Sequence, residues 1–205
     1  MYYALVFLFW FSLSIQCKNP FLPQTGRPVV DLPDRAQPEG VLTQLIDSYN
    51  ERNIDLFKDL FPKDGSFKFY VAPSFYLEYI TNNKYQNPQE PGDTRLLWLK
   101  GSEFYYYWTQ NDEIESHEHL FRYAEYLEFI DPPGLESKRK FVDGNDSLAE
   151  LLIRGGKLKV GQDAGFDTTA IYYVPIEDQV FLVKKNDDDL WVLQKWYDFS
   201  NMVGE

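Results

Sequence analysis

The order of the apolar patterns limits what this 205-residue chain can fold into more than any other feature of the sequence. From Val41 onward, Leu42, Leu45, Ile46 and Tyr49 fall at the i, i+3, i+4 and i+7 positions of one helical face. Further along, most segments alternate apolar and polar residues as half-buried strands do. Helices that precede several antiparallel strands indicate an α+β fold.

Local signals define the first elements after this helix. Asn53 is placed to cap a second short helix that carries Phe57, and Ser66–Val71 alternates as a strand. A third helix is predicted to begin at Thr109 or Asn111. The apolar residues predicted to mark its buried side are Ile114, Leu120, Phe121 and Ala124.

The second half of the chain is predicted to form most of the sheet. Asp131–Gly134 is a turn signal, residues 135–147 are typical of a polar loop, and Asn186–Asp189 is typical of a hairpin turn. The strands are predicted at residues 126–130, 149–160, 169–174, 179–184 and 190–199. Residues 72–104 mix prolines with short aromatic pieces and predict no regular element.

The N-terminus begins with an apolar run that ends at Cys17, the single cysteine. Residues 2–15 carry no charge, and Gln16 and Lys18 end the run. A secretory signal requires about 7–15 apolar residues, whereas a bilayer-spanning helix requires about 20. Residues 1–16 are therefore predicted to be a signal peptide. The alternative is an uncleaved signal anchor that presents a periplasmic subunit.

The junction before the cysteine, Leu13-Ser14-Ile15-Gln16-Cys17, resembles the lipobox of bacterial lipoproteins. The resemblance implies a diacylglycerol on Cys17 and a membrane-anchored protein of the cell envelope that faces the periplasm or the exterior. A lone cysteine in an exported chain is otherwise unexplained. The alternative is cleavage after Ser14, which leaves Cys17 as a free thiol.

Composition limits the partners of the chain. The net charge is −12, and nucleic acid binding requires a basic face that releases counterions. The same acidity disfavours adhesion to anionic lipid, so the lipid anchor is the expected membrane contact. Residues 17–40 contain five prolines and are predicted to form a tether that reaches about 70 Å when extended. The folded domain is predicted at residues 41–200.

Three segments resemble the nuclear transport factor two-like superfamily, which has the cystatin-like or cone fold. They are Leu45–Asn53 continuing through Phe57 toward Phe67, Trp108–Phe121, and the closing Leu190–Asp198 with its two tryptophans. The resemblance is greatest to the lipoprotein-type members. It implies that the N-terminal helices pack in the concave face of a curved, mostly antiparallel sheet. Some members are isomerases or dehydratases and many only bind, so the fold does not choose between these functions.

His117 and His119 are the only histidines. On a helix they lie about 200° apart, so they cannot both face a metal or the core. A hydrogen-bonded or solvated histidine is the ordinary role, but His119 would be a suitable general base if it faced the interior of the cone. Asp198 would need burial to act as an acid or base.

The sequence contains no motif that requires a metal or a cofactor. The segment Asp143–Ser147 resembles the start of a calcium loop, but Leu148 replaces the required Gly and Arg154 replaces the bidentate Glu. Aromatic residues make up 18% of the chain, and Tyr105–Trp108 must place rings on both sides of a strand. The candidate residues for an aromatic pocket are Trp108, His119, Trp191, Trp196 and Asp198.

The sequence therefore predicts a cell-envelope lipoprotein with a non-enzymatic binding or scaffolding domain. Its expected partner is a small hydrophobic ligand or another envelope protein. The alternative is a cone-fold isomerase or hydratase that uses His119 or Asp198 in an aromatic pocket.

Overall fold

A computed structural model of the chain describes residues 34–71, 107–140, 146–165 and 168–198. The chain divides into two units, residues 1–32 and 33–205, and every described residue belongs to the second unit. The predicted signal peptide at 1–16, Cys17 and the first part of the tether lie outside the described residues. Among the described residues, no helix combines the length and the apolar composition needed to cross a membrane.

The two N-terminal helices form as the local signals predict. Helix α1 spans Gly40–Asn50 and helix α2 spans Ile54–Lys58. The side chain of Asn53 caps α2 by accepting hydrogen bonds from the backbone N–H groups of Asp55 and Leu56. This capping role confirms the prediction for Asn53 and fixes the start of α2.

Helix α3 spans Gln110–Tyr123 and begins with a capping box. Thr109 accepts from the backbone of Asp112, and the Asp112 carboxylate accepts in return from the backbone N–H of Thr109. The predicted start at Thr109 is confirmed. Of the apolar residues predicted to mark the buried side of α3, Phe121 and Ala124 are buried, whereas Ile114 and Leu120 are half-buried against the core. Glu113 and His117, which were not predicted there, are also buried.

The strands of the described residues form two sheets. The bounds are β1 Lys68–Val71, β2 Tyr107–Thr109, β3 Ala124–Asp131, β4 Gly134–Lys140, β5 Leu148–Arg154, β6 Lys157–Gly165, β7 Thr168–Pro175, β8 Gln179–Lys185 and β9 Trp191–Asp198. The six-stranded sheet has the order β2-β1-β9-β8-β5-β4, and the three-stranded sheet has the order β3-β6-β7. Every described pairing is antiparallel except β1 with β9, which confirms a mostly antiparallel sheet in an α+β fold.

Two predicted segments are wrong in detail. Residues 135–140 of the predicted polar loop belong to strand β4, which is almost fully exposed and therefore lacks the apolar alternation of a buried strand. The strand predicted at 149–160 is two strands, because Gly155 and Gly156 have φ angles of 67° and 124° and turn the chain between β5 and β6.

The main core lies between the helices and the concave face of the sheet. Leu42, Tyr49 and Phe57 from the helices are buried there with residues of both sheets, among them Leu127 of the three-stranded sheet and Phe181 of the six-stranded sheet. A smaller cluster on the other side of the six-stranded sheet contains Tyr70, Val180, Leu182 and Tyr197. The helices therefore fill the interior of the cone with apolar side chains.

Residues 34–39, which the sequence assigned to the tether, pack on the domain. Arg35 is buried and donates hydrogen bonds to the backbone oxygen and the carboxylate of Asp59, each at 2.5 Å. The backbone N–H of Trp191 donates to the Arg35 carbonyl at 2.9 Å. The folded unit thus includes the residues just ahead of Val41, whereas the tether ahead of residue 34 stays a prediction.

Candidate functional site

An aromatic row crosses three neighbouring strands of the six-stranded sheet. Phe69 on β1 is in register with Trp108 on β2 and with Trp196 on β9. The ring centroids of Phe69 lie 5.4 Å from Trp108 and 5.1 Å from Trp196. Two of the predicted pocket residues therefore meet through a third ring that the sequence analysis did not single out.

A buried polar cluster of Tyr49, Glu113 and His117 lies next to this row. The Tyr49 hydroxyl is 2.5 Å from Nε2 of His117, and Nδ1 of His117 is 2.9 Å from the backbone oxygen of Glu113. A carbonyl oxygen only accepts, so Nδ1 carries the proton and Nε2 accepts from the Tyr49 hydroxyl. The Glu113 side chain is 1% exposed and hydrogen-bonds with Trp108.

Burial keeps the groups of this cluster neutral. It raises the pKa of Glu113 to about 8, against the hydrogen bond from Trp108 and with the help of the nearby Asp198 carboxylate. It lowers the pKa of His117 to about 4, although the bond to the Glu113 carbonyl opposes this. Burial also raises the pKa of Tyr49 well above its ordinary value. The 3.4 Å approach of Glu113 Oε1 to His117 Nδ1 is therefore a contact of neutral groups at pH 7.

Aromatic rings enclose the cluster. Phe57 stacks on the His117 ring at 4.0 Å, and Phe121 packs edge-on against both His117 and Tyr49. Tyr49, Glu113 and His117 are each at most 8% exposed. The arrangement can hold a proton on Glu113 at neutral pH, but it presents no group to a substrate there.

A surface groove of about 450 Å³ lies between the end of α3 and the three-stranded sheet. His119 and Tyr123 form one wall, with their ring centroids 4.4 Å apart. The remaining lining residues are Ser116, Leu120, Ala124, Gln162 and Asp163. A groove of this size can hold a small molecule, and its lining mixes aromatic, amide and carboxylate groups.

The exposed apolar residues of the described chain concentrate at the end of α3 and on the three-stranded sheet. We call seven of them, each 36–59% exposed, the tyrosine-rich surface: Tyr123, Tyr126, Ile130, Ile171, Tyr172, Tyr173 and Val174. All seven lie at the end of α3 or on the three-stranded sheet, whereas one further exposed apolar residue, Leu135, lies on β4. Exposed apolar side chains that cluster in this way are typical of a binding surface.

Register assigns these residues to the two faces of the sheet. Leu127, Val160 and Tyr172 form one row on the core side, where the first two are buried and Tyr172 is exposed. Tyr126 and Ile171 belong to a row on the outer side. The tyrosine-rich surface therefore has two parts. One lies on the core side of the three-stranded sheet and continues from the groove, and the other lies on the outer side of the sheet.

Two lysines lie over tyrosine rings on the outer face. The Nζ atom of Lys159 is 4.3 Å from the ring centroid of Tyr126, and that of Lys157 is 5.6 Å from Tyr173. These cation–π contacts hold basic groups against the aromatic surface of an otherwise acidic chain.

Comparison with known proteins gives structural likeness without sequence likeness. No family model and no curated protein matches the chain. A conserved protein from Planctomyces limnophilus is 9% identical with a TM-score of 0.50 and covers 78% of this chain and 89% of its own. Two further structures are similar. An NTF-2 like protein of unknown function from Shewanella oneidensis is 10% identical with a TM-score of 0.40 and covers 78% of this chain and 93% of its own. A ketosteroid isomerase-like protein from Erwinia carotovora is 10% identical with a TM-score of 0.46 and covers 80% of this chain and 95% of its own.

The fold is an α+β cone, with the N-terminal helices packed on a curved, mostly antiparallel sheet. At these identities the likeness concerns the architecture alone, and it assigns no activity to the chain.

The cone gathers three of the five predicted pocket residues and separates the other two. Trp108 and Asp198 lie close to Glu113, and Trp196 meets Trp108 through the Phe69 ring between them. Trp191 is at the opposite end of β9, where the Nζ atom of Lys185 is 5.9 Å from its ring centroid. His119 does not face the interior, as a general base in the cone would require; it is exposed and lines the surface groove.

The sequence analysis missed Glu113 and left His117 undecided. Glu113, His117 and Phe121 are spaced four residues apart and therefore share one helical face. That spacing was visible in the sequence, but a glutamate on the buried face contradicts the usual preference of carboxylates for solvent. No group of three or more metal-ligating side chains occurs in the described ranges.

Proposed function

We propose that this chain is an exported, lipid-anchored protein of the bacterial cell envelope whose cone-fold domain binds another envelope protein through the tyrosine-rich surface and does no chemistry. The tyrosine-rich surface carries the proposal, because it gathers seven exposed apolar residues on one part of the domain. Tyrosine is enriched in interfaces because it combines apolar area with a hydrogen-bonding group.

Two further observations support this function over catalysis. Leu42, Tyr49 and Phe57 are buried in the interior of the cone, where an enzyme of this fold would hold its substrate. Asp198 and His119 are also not brought together, since His119 lines the groove and Asp198 does not. The apolar run that ends at Cys17 supports export and attachment to the membrane.

Site-specific cross-linking in living cells tests the binding surface. A photo-reactive phenylalanine analogue at Tyr173 should form an adduct with a protein of different mass. The same group at Leu135, which is exposed on the other sheet, is the matched control and should not. Equal adducts at both positions, or none at either, would exclude this surface as the binding site.

Metabolic labelling with palmitate tests the anchor. Label should enter the full-length chain and disappear in Cys17→Ser. An unmodified intact mass for the mature chain would exclude lipidation, while leaving the cross-linking result to decide on the surface.

A second function, a cone-fold isomerase or hydratase, has one observation in its favour. The buried Glu113 holds its proton near neutral pH, and its Oε2 atom has no hydrogen-bond partner among the described residues. Groups with such shifted pKa values are frequent in active sites. A small ligand that perturbed the NMR signals of the His117 ring more than those of His119 would favour this function over a binding module.

A further inference from the structure

The described sheets differ in how their edges are protected against pairing with other strands. An edge strand presents unpaired backbone groups, and proteins usually protect it with charges, short length or a covering segment. At one edge of the six-stranded sheet, β2 spans three described residues. At its other edge, β4 carries Lys138, Arg139 and Lys140 along its exposed length.

In the three-stranded sheet, the edge at β3 is covered by the connection between α1 and α2. The backbone N–H of Phe129 donates to the Asn50 side chain at 3.0 Å. Arg52 donates to the backbone oxygen of Ala124 at 2.7 Å. The helical layer thus occupies backbone groups at both ends of this edge.

Strand β7, at the other edge, has none of these protections in the described part of the chain. Its eight residues, Thr168–Pro175, include no charged side chain, and seven of the eight are exposed. The strand is rich in β-branched and aromatic residues, which favour strand pairing. An exposed, uncharged edge of this length requires a partner strand or else promotes aggregation.

Charges on the outer face are arranged with opposite signs at the two ends of β7. Near its start, the Thr169 hydroxyl donates to the Glu125 carboxylate at 2.5 Å, which holds a negative charge beside the edge. Near its end, the ammonium group of Lys157 lies over the Tyr173 ring. A strand that approaches β7 antiparallel is therefore complementary if it carries the same arrangement of charges, as a second copy of β7 does.

We propose that two copies of this chain pair through antiparallel β7 strands about a two-fold axis at Ile171, joining their three-stranded sheets into one six-stranded sheet. This register sets Thr169 opposite Tyr173 of the second copy and Ala170 opposite Tyr172, so that small residues meet large ones. Pro175, which has no N–H to donate, falls outside the paired residues. The proposal goes beyond the proposed function, because it concerns the edge of the sheet and not a partner bound by its faces.

The register also brings the charges together. Glu125 is held at Thr169 and Lys157 at Tyr173, so the two-fold axis places each carboxylate near the ammonium group of the other copy, twice per pair. In the register centred one residue later, two Tyr172 side chains would meet and Pro175 would enter the ladder. The charge and size patterns therefore favour the axis at Ile171.

Cysteine cross-linking tests this register in the full-length chain in detergent, with Cys17→Ser so that each introduced cysteine is the single one in the chain. Directly opposed residues in an antiparallel pair have Cα atoms about 4.5–5.5 Å apart, which a disulfide can bridge. Ile171→Cys should form disulfide-linked pairs under mild oxidation. Tyr173→Cys alone is the matched control and should not, because its two copies lie about 14 Å apart.

A mixture of differently tagged Thr169→Cys and Tyr173→Cys chains should form only the mixed pair. Circular dichroism confirms that each variant is folded. The proposal is overturned if Ile171→Cys stays monomeric, if Tyr173→Cys cross-links equally well, or if a chain of different mass takes up the thiol at residue 171 in cells. Absence of the Tyr173 photo-adduct with another protein would count against the proposed function and would leave the disulfide test of β7 pairing unaffected.

A charge exchange tests the same pairing without cysteine. Lys157→Glu should raise the dissociation constant of the dimer about tenfold, because two pairs become repulsive. Adding Glu125→Lys to Lys157→Glu should return the dissociation constant to the wild-type value. Sedimentation equilibrium measures the dissociation constants. A double variant that stays as weak as Lys157→Glu would contradict the antiparallel arrangement.

Discussion

At the scale of single residues, the interior of the cone contains a polar cluster in which Tyr49 and His117 are hydrogen-bonded, whereas Oε2 of Glu113 has no hydrogen-bond partner among the described residues. Tyr49 donates a hydrogen bond to His117, and His117 donates to the carbonyl of Glu113. The donor and acceptor roles of the Tyr49 and His117 side chains are therefore defined. Aromatic rings exclude water from this cluster, which makes each hydrogen bond stronger and each unmade bond more costly. Together with the apolar contacts, the cluster holds α1 against α3.

Removal of the Tyr49 hydroxyl should reveal the free-energy cost of an unmade hydrogen bond in this cluster. Tyr49→Phe leaves Nε2 of His117 without a donor in the core and should lower the free energy of unfolding by about 1–3 kcal/mol. Tyr123→Phe removes the same atom from a residue that is 59% exposed and should change it by less than about 0.5 kcal/mol. Urea unfolding at pH 7 measures both. Equal effects would mean that the hydrogen bond to His117 contributes nothing.

The neutral carboxyl of Glu113 should make stability depend on pH. Its pKa is about 8 in the folded chain and near the ordinary 4.5 in the unfolded chain. Between these pH values the unfolded chain releases a proton that the folded chain keeps, so stability falls as the pH rises. Glu113→Gln should remove this loss. Its free energy of unfolding should exceed that of the wild type by a margin that grows by about 1.4 kcal/mol per pH unit.

Urea unfolding between pH 5 and pH 8 measures that margin. Glu115→Gln, on the exposed side of the same helix, is the control and should give a margin that does not grow. A constant margin for Glu113→Gln would show that Glu113 is ionised in the folded chain.

At the scale of elements, glycine positions decide where strands end. Gly155 and Gly156 separate β5 from β6, but they do so differently. A Cβ on Gly156 would lie 3.0 Å from the backbone nitrogen of Pro133, whereas a Cβ on Gly155 would meet nothing within 4 Å. The turn therefore depends on Gly156 for both space and conformation, and on Gly155 for conformation alone.

Alanine at these two positions should separate the two effects. Gly155→Ala should cost about 1 kcal/mol, the strain of a left-handed alanine. Gly156→Ala should cost about 3 kcal/mol, because its φ of 124° is unfavourable and its Cβ collides with backbone. Chemical denaturation of the two variants measures the difference. A larger loss in Gly155→Ala would contradict the contact with Pro133.

The elements that the sequence predicted are those set by local contacts. Asn53 and Thr109 cap helices within three residues of themselves, so their patterns are complete in the sequence. Strand β4 escaped prediction because an edge strand needs no apolar side, and its charges resemble those of a loop. Which histidine faces the core depends on the rotation of α3, which Phe121 and the helices packed against it determine.

At the scale of the whole molecule, the folded unit begins earlier than the apolar periodicity suggests. The chain joins the domain at Arg35, whose guanidinium group reaches the end of α2 and whose carbonyl pairs with the start of β9. A charged residue among prolines carries no apolar signal, so composition placed this segment in the tether.

Trypsin should detect this junction. The Arg35–Ala36 bond should resist cleavage in the native chain, whereas the bond after Lys63, whose side chain is 84% exposed, should be cut earlier. Asp59→Ala removes the carboxylate partner of Arg35 and should speed cleavage after Arg35 while leaving the site at Lys63 unchanged. Mass spectrometry of early fragments measures both. Cleavage after Arg35 as fast as after Lys63 would contradict the packing of this segment.

The Arg35 junction also has a mechanical consequence. A pull on the chain ahead of residue 34 would load the bonds to Asp59 and Trp191 before any bond within the helices or strands. Residues 34–39 would then detach first and extend the chain by about 20 Å, while the domain kept its shape.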